Sequence, residues 1–571
     1  MPMFRKSLVA IVLTLVITAC QESLPPADLI IIGGKIYTME TDRPMADALA
    51  VRGDTIIYTG DSIQVMDFKG PNTQVINLKG KTLTPGFIEG HGHIMGLGYN
   101  EMNLDLMGTK NFDEIVSMVK SAAAKAAPGE WIVGRGWHQD KWDVMPSKMV
   151  KGFPTHDLLS EAAPNNPVVL SHASGHNALV NAEAMRKAGI YALNAEKINV
   201  PVGGEIIRDA LGNPTGLFNE TAEDLIYRVM PQNSPESDQK ALELAIAACL
   251  RNGVTSFQSA GENDSVIELI KKFRDGGKLS TRMYLMLSGS DHELVNKYFQ
   301  SGPSVDKWVN VRSVKLYGDG ALGSRGAWLL EDYADEAGNR GQPNMVIDSV
   351  YSVSRRALKS GFQVNTHAIG DRANREVLDQ YEKAFKENPG AAENSRFRIE
   401  HAQHLHPDDI PRFKKLGVIA AMQAVHLSSD RPWAINRLGA KRIIDGAYVW
   451  KSLLNTGAII VNGSDVPVEP INPLASFYAS VTRKTLKGEP EGGYELEQAM
   501  SREQALRSYT LDAAYGAFEE NIKGSIRPGK LADFTVFSKD IMSVPANEIL
   551  STTVEMTIVG GKILYQSESN N

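Results

Sequence analysis

Cysteine is nearly missing from this chain: Cys20 and Cys249 are the only two in 571 residues. A disulfide framework is excluded, because Cys20 also lies at an expected processing site. A basic excess is missing too. Lys and Arg number 60 against 67 Asp and Glu, a formal charge of −7, so no surplus is available to neutralise nucleic-acid phosphates. Beyond the first twenty residues no stretch is apolar enough to span a bilayer, which takes about 20 residues. No internal repeat or low-complexity tract occurs. What remains is ordinary globular usage, 43% hydrophobic and 22% charged, with ample chain for a large core. Length alone suggests three or four domains, and one large α/β barrel with a satellite fits equally well.

The first residues read as an address. Arg5 and Lys6 precede the apolar run Leu8–Ile17, followed by Thr18, Ala19 and Cys20. A basic start, a short apolar stretch and small residues before a cysteine make a secretory signal. The segment Ile17-Thr-Ala-Cys20 resembles the lipobox of bacterial lipoproteins, in which the cysteine carries lipid. The expectation is a signal over 1–19, a lipid anchor at Cys20, a tether over 20–27 with Pro25-Pro26, and a place in the cell envelope. Gln21 favours the outer membrane, with the body facing the periplasm.

Two β-rich ends flank a long middle. Leu29–Tyr37, Ala48–Tyr58 and Thr73–Ile76 at one end, and Ala532–Phe537 and Val554–Val559 at the other, are short apolar runs bounded by Gly, Asp and Asn. Neither set makes a robust sheet alone, so 28–81 and 518–565 are expected to build one small β-sandwich together. The middle, 82–517, alternates apolar strands with amphipathic helices, the pattern of a parallel α/β architecture. Eight strands are expected at Thr82–Glu89, Gly253–Ser259, Arg282–Leu287, Val311–Tyr317, Phe362–Thr366, Phe397–Glu400, Gly417–Met422 and Ala458–Asn462. The fold class is therefore a (β/α)8 TIM-like barrel. The gap between the first two strands is too long for one helix, and about 100–233 reads as an insertion over the barrel mouth.

Chemistry collects at the strand ends. His91 and His93 stand two apart on an extended segment, so both rings reach the same side. His367, His401 and Asp465 end the fifth, sixth and eighth expected strands, on the face where such barrels keep catalytic groups. Four imidazoles and a carboxylate form an N/O donor set suited to Zn²⁺, Mn²⁺ or Fe²⁺. Lys315 interrupts the fourth strand, pointing into the lumen. Two explanations stand: a salt bridge, to Asp319 or to a substrate carboxylate, or carboxylation by CO₂ to a metal-bridging carbamate, favoured by burial. Less sharply, His172 in the insertion, Arg325 and His426 are candidates for contact with substrate. His138 and His176 of the insertion are weaker candidates for the same role. Arg325 could equally pair with Asp319. His404 and His406 read as the start of a solvated helix, and Cys249 as inert core.

The quoted residues resemble the amidohydrolase superfamily, within it the family 3 branch that contains N-substituted formamide deformylase. The matching pieces are Thr84-Pro-Gly-Phe-Ile-Glu-Gly-His-Gly-His93, Val314-Lys-Leu-Tyr-Gly-Asp319, Thr366-His-Ala-Ile-Gly-Asp371, Ile399-Glu-His-Ala-Gln403, Asn462-Gly-Ser-Asp465 and Gly524-Ser-Ile-Arg-Pro-Gly-Lys-Leu-Ala-Asp-Phe534. The resemblance implies His91 and His93 on one Zn²⁺, His367 and His401 on another, and carboxylated Lys315 between them. Asp465 would ligate the first metal and act as base. It implies hydrolysis of a non-peptide C–N bond, as in an N-acyl or N-formyl amine, by a hydroxide bridging the two ions. Barrels of this kind often pair, which leaves room for a homodimer. An aminoacylase or dipeptidase, a deaminase, and a catalytically silent tethered binding lipoprotein are the alternatives. Lys315 weighs against the deaminase, and the complete ligand set against the silent binder.

Overall fold

The computed structural model describes residues 25–139, 142–172, 177–190, 198–201, 204–231 and 233–568. The expected signal, Cys20 and His176 lie outside this range. Eight parallel strands form the central sheet: β1 (Phe87–Gly92), β2 (Val254–Glu262), β3 (Arg282–Ser288), β4 (Val309–Tyr317), β5 (Gln363–Ala368), β6 (Arg398–His401), β7 (Ile419–Met422) and β8 (Ile460–Asn462). They pair in chain order from β1 to β8. Burial on both faces explains why they read as near-continuous apolar runs. Helices Asp348–Ser360, Ile410–Leu416 and Trp450–Thr456 each end on a glycine in the left-handed region (Gly361, Gly417, Gly457) before β5, β7 and β8 begin.

No ladder joins β8 back to β1 among the described residues, so the barrel is nearly closed. The gap is filled differently along its length. Ile88 donates its N–H to Tyr509 O (2.8 Å), and the Tyr509 hydroxyl donates to Gly463 O (3.0 Å). Nearer the mouth, Ser464 donates its backbone N–H (2.6 Å) and its hydroxyl (3.0 Å) to the two oxygens of buried Glu89. At the rim the Asp465 N–H reaches His91 O and the His93 N–H reaches Val466 O, both at 2.8 Å.

The first expected strand is two strands. Thr82–Pro85 belongs to the small sheet, and Phe87 begins β1. Gly86 makes the crossing possible, since a Cβ there would sit 2.1 Å from Thr255 Oγ1. Both ends of the chain contribute strands to the small unit. Its eight strands form one sheet, ordered Lys562–Gln566, Val554–Val559, Phe534–Phe537, Thr82–Pro85, Ala27–Tyr37, Met45–Arg52 and Thr55–Gly60, with Lys69–Asn77 also paired to Ala27–Tyr37. All eight join one hydrogen-bonded sheet; the expected division into two facing sheets does not appear in the pairing. Arg282 at the start of β3 holds the unit to the bottom of the barrel, donating to both oxygens of buried Asp533 (2.6 and 2.9 Å).

A separate unit lies between β1 and β2. Six strands between Leu104 and Asn219 form a separate sheet with apolar clusters on its faces. It rejoins the barrel through helix Pro235–Arg251, which opens on a Ser234–Ser237 capping box. Arg135 Nη1 of this unit donates to Pro467 O (3.1 Å), in the loop that follows Asp465. Cys249 is fully buried in that helix, as expected. No described helix is long and apolar enough to cross a membrane.

Gly90 sits in the seam, where a Cβ would lie 2.4 Å from Asn462 O. Gly90→Ala is expected to destabilise the protein by about 1–3 kcal/mol through overpacking. Gly390→Ala, which faces open space, should stay within about 0.5 kcal/mol of the parent. Paired chemical-denaturation curves read both.

Candidate metal centre

Strand alternation puts residues 89, 91 and 93 on one side of β1, and 315 and 317 on one side of β4. His401 and Asp465 reach the same space by another device. Both have backbone φ in the left-handed region, +74° and +59°. Such strained positions persist where the surrounding structure imposes them. His401 would otherwise point away from the lumen that Arg398 and Glu400 face.

His91 Nε2, His93 Nε2 and Asp465 Oδ1 converge at the rim, the carboxylate oxygen 3.6 and 3.3 Å from the two nitrogens. The ligand atoms of these three all lie within 4.8 Å of one another. Lys315 Nζ is 3.1 Å from His91 Nε2. The His401 ring centroid is 5.1 Å from that of His91 and 4.4 Å from that of His367. The six residues expected to form the centre are therefore brought together from β1, β4, β5, β6 and the end of β8.

Three of the four rings, those of His91, His93 and His401, have one nitrogen turned to an acceptor and one left for the cluster. His91 Nδ1 donates to Glu400, whose carboxylate also accepts from Arg398 Nε (2.7 Å) and Nη2 (2.8 Å). His93 Nδ1 donates to Ala260 O (3.0 Å), and His401 Nδ1 to Gln423 Oε1 (2.6 Å). His367 Nε2 lies 3.4 Å from Asp319 Oδ1. Such partners fix tautomer and orientation in metal sites. Burial, reinforced by the Lys315 cation, lowers His91 to about 4 and His367 to about 3. Neutral imidazole is the form that binds a metal. Burial would raise Asp465, yet the His93 hydrogen bond and the surrounding histidines hold it well below the carboxylate range. Burial lowers Lys315 to about 8. A neutral-imidazole set with one ionised carboxylate fits a divalent cation of the zinc type.

Other expectations fare differently. Lys315 and Asp319 form no pair: the Asp319 oxygens accept backbone N–H groups from Trp328, Ile369 and Gly370 (2.8–2.9 Å). Arg325 is not paired with Asp319 either, because its guanidinium is committed to Asp335 (3.0 and 3.2 Å) and Glu336 (3.0 Å). His172 lies against Trp137 and His138 of the insertion, ring centroids 4.7 and 4.5 Å away, and contacts Gln139 at 3.2 Å. His426 stacks on His401, beside the centre. His404 does not begin a solvated helix. It is buried against Tyr448, while His406 caps the short turn Pro407–Asp409. A cavity of about 480 Å³ opens instead at the N-terminal end of β8, and its Arg507–Asp512 pair (2.8 Å) is internally satisfied. It holds no converging metal donors.

A model of the amidohydrolase family matches residues 74–565. The chain belongs to the amidohydrolase family. Over 550 residues it is 35% identical to Protein LONG AFTER FAR-RED 3 of Arabidopsis thaliana, covering 94% of this chain and 92% of that one. It is 27% identical over 554 residues to N-substituted formamide deformylase of Arthrobacter pascens, covering 94% and 98%. Among solved structures, an uncharacterized metal-dependent hydrolase from Pyrococcus horikoshii OT3 superposes with TM-score 0.72 at 26% identity, covering 91% of this chain and 99% of that one. The amidohydrolase is thus a metal-dependent hydrolase acting on carbon–nitrogen bonds.

Glu400 and Gln423 were not picked out from sequence, and Asp319 was picked out only as a partner for Lys315 or Arg325, not as a neighbour of His367. The signal for Glu400 is available in hindsight: Arg398 and Glu400 are two charges at strand alternation inside an apolar run. Glu400→Gln keeps the shape but removes the charge that holds His91 and balances Arg398. It is expected to weaken metal affinity by about 10–100-fold, as measured by chelator competition.

Proposed function

We propose that this amidohydrolase cleaves a small N-acyl or N-formyl amine with water as nucleophile and Asp465 as proton carrier. The convergence of His91 Nε2, His93 Nε2 and Asp465 Oδ1 supports this reading. His91, His93 and Asp465 would hold one zinc ion and His367 and His401 a second, with Lys315 between them as a carbamate. Bound divalent metal would acidify water and polarise the substrate carbonyl. Carbamate formation needs the neutral amine, which attacks CO₂ with formation of an N–C bond and loss of one proton. Burial lowers Lys315 to about 8 and so makes that form accessible.

The chain's own groups divide the remaining work. Asp465, ionised and 8% exposed, takes a proton from the attacking water as the new C–O bond forms. It then passes that proton to the departing nitrogen as the C–N bond breaks, so that the amine leaves neutral. Glu400 keeps the His91 ring in one orientation, and Arg135 steadies the loop after Asp465 from the insertion. The commitment of Arg325 to Asp335 and Glu336 withdraws the cation proposed to meet a substrate carboxylate, which weighs against the aminoacylase and dipeptidase alternatives.

The purified protein should contain zinc and hydrolyse members of an N-acyl and N-formyl amine panel. Chelation with 1,10-phenanthroline should abolish turnover, and added zinc should restore it. Asp465→Asn should lower kcat by about 10²–10⁴-fold while keeping most of its metal through the histidines. Full activity in that variant would remove Asp465 from the mechanism. We also propose, from the lipobox-like segment alone, a lipid anchor at Cys20 that holds the enzyme to the outer membrane. Cys20→Ser should abolish incorporation of labelled palmitate and move the protein to the soluble fraction.

A further inference from the structure

His426 stands apart from the other histidines at the mouth. It opens helix Val425–Gly446, directly after β7. The backbone around it is firmly held: Ala424 donates to Asn462 Oδ1 and Val425 to Ser476 Oγ, both at 3.1 Å. The side chain is 7% exposed, and its Nε2 is buried with no hydrogen-bond partner. A buried polar atom left unpaired is costly and calls for a role. The ring lies nearly parallel to that of His401, centroids 6.1 Å apart and planes 13° apart. His426 is also among the groups that electrostatically favour the ionised Asp465. The ring that carries the unpaired nitrogen therefore lies against His401 at the end of β7.

A fifth histidine ligand is the competing role, and the surroundings disfavour it. His91, His93 and His401 each turn a ring nitrogen to a buried acceptor, whereas His367 Nε2 lies 3.4 Å from Asp319 Oδ1 without a hydrogen bond. Neither ring nitrogen of His426 has such an acceptor among the described residues. The ring is free to choose its tautomer for a ligand that arrives from the mouth.

We propose that His426 Nε2–H donates a hydrogen bond to the acyl oxygen of the substrate. This rests on the amide-hydrolysis reading above. The oxygen gains negative charge as the carbonyl becomes tetrahedral, so a donor at this position strengthens in the transition state. His426 is then a catalytic residue in the strict sense, touching the reacting group.

The test compares His426→Gln and His426→Leu with the parent on the metal-loaded full chain. Leu removes the donor, while Gln keeps an N–H near the same reach. Expected for Leu is a loss of about 10²–10³-fold in kcat with unchanged metal content, and for Gln a recovery to within about tenfold of the parent. Loss of one metal equivalent in both variants would overturn the proposal and make His426 a ligand. Unchanged kcat with a raised KM in Leu would also overturn it, leaving a binding wall only. The same variants are read with 4-nitrophenyl acetate, which offers an acyl oxygen without a C–N bond. If the parent cleaves the ester but no amide, the substrate reading above fails. The His426 assignment is then decided by whether Leu alone loses ester turnover.

Discussion

Asp465 gives its backbone N–H to His91 and His93 gives its own to Val466, across the one junction of the barrel where no strand ladder runs. The two segments whose side chains are proposed to share a cation are thus tied through their main chains. The side chains inherit that register and need no long-range adjustment. Below the rim, Glu89 grips both the Ser464 amide and its hydroxyl, and Tyr509 fills the gap deeper down. The same rim forces Asp465 into a left-handed backbone that few non-glycine residues adopt. Strain and bonding arrive together at the residue assigned the proton transfer.

A second constraint is charge. Barrel interiors are ordinarily filled by branched apolar side chains, yet here Lys315, Arg398 and Glu400 are each at most 1% exposed. Buried charge persists only when paired and hydrogen-bonded. Arg398 spends its donors on Glu400, Gln258 and the Gly90 carbonyl, and Tyr284 bonds Gln363 beside it. Glu400 is held down to about 2, because Arg398 and His91 outweigh the burial that would raise it. This polar floor links β1, β2 and β6 directly beneath the cluster. Among the described residues no carboxylate pairs with Lys315; its near neighbour is a histidine nitrogen. A carbamate at this lysine would turn that unbalanced cation into a ligand.

Much of the fold could be read from residue pattern alone. β2 to β8 are apolar runs, β5, β7 and β8 each preceded by a helix-ending glycine, and seven of the eight expected strands sit within a few residues of their places. The first misleads because Thr82 to Glu89 is one apolar run that serves two sheets. The turn at Gly86 depends on contact with Thr255, which lies far along the chain. Among the candidate ligands, His367, His401 and Asp465 were legible because each ends an expected strand, and Lys315 because it interrupts one. Their supports were not: Gln423 and Asp319 matter only through three-dimensional proximity to His401 and His367. Arg325 and His404 show the opposite failure. A cation near the site looked available until Asp335 claimed it, and a histidine after a strand looked solvated until Tyr448 covered it.

Family membership and geometry meet in one proposal: the rim of β1 and the end of β8 would act as a single cation-binding unit. Anomalous diffraction at the zinc edge from metal-loaded crystals examines this directly. The account predicts a peak enclosed by His91, His93 and Asp465. A metal found elsewhere, with those three side chains uninvolved, would contradict it.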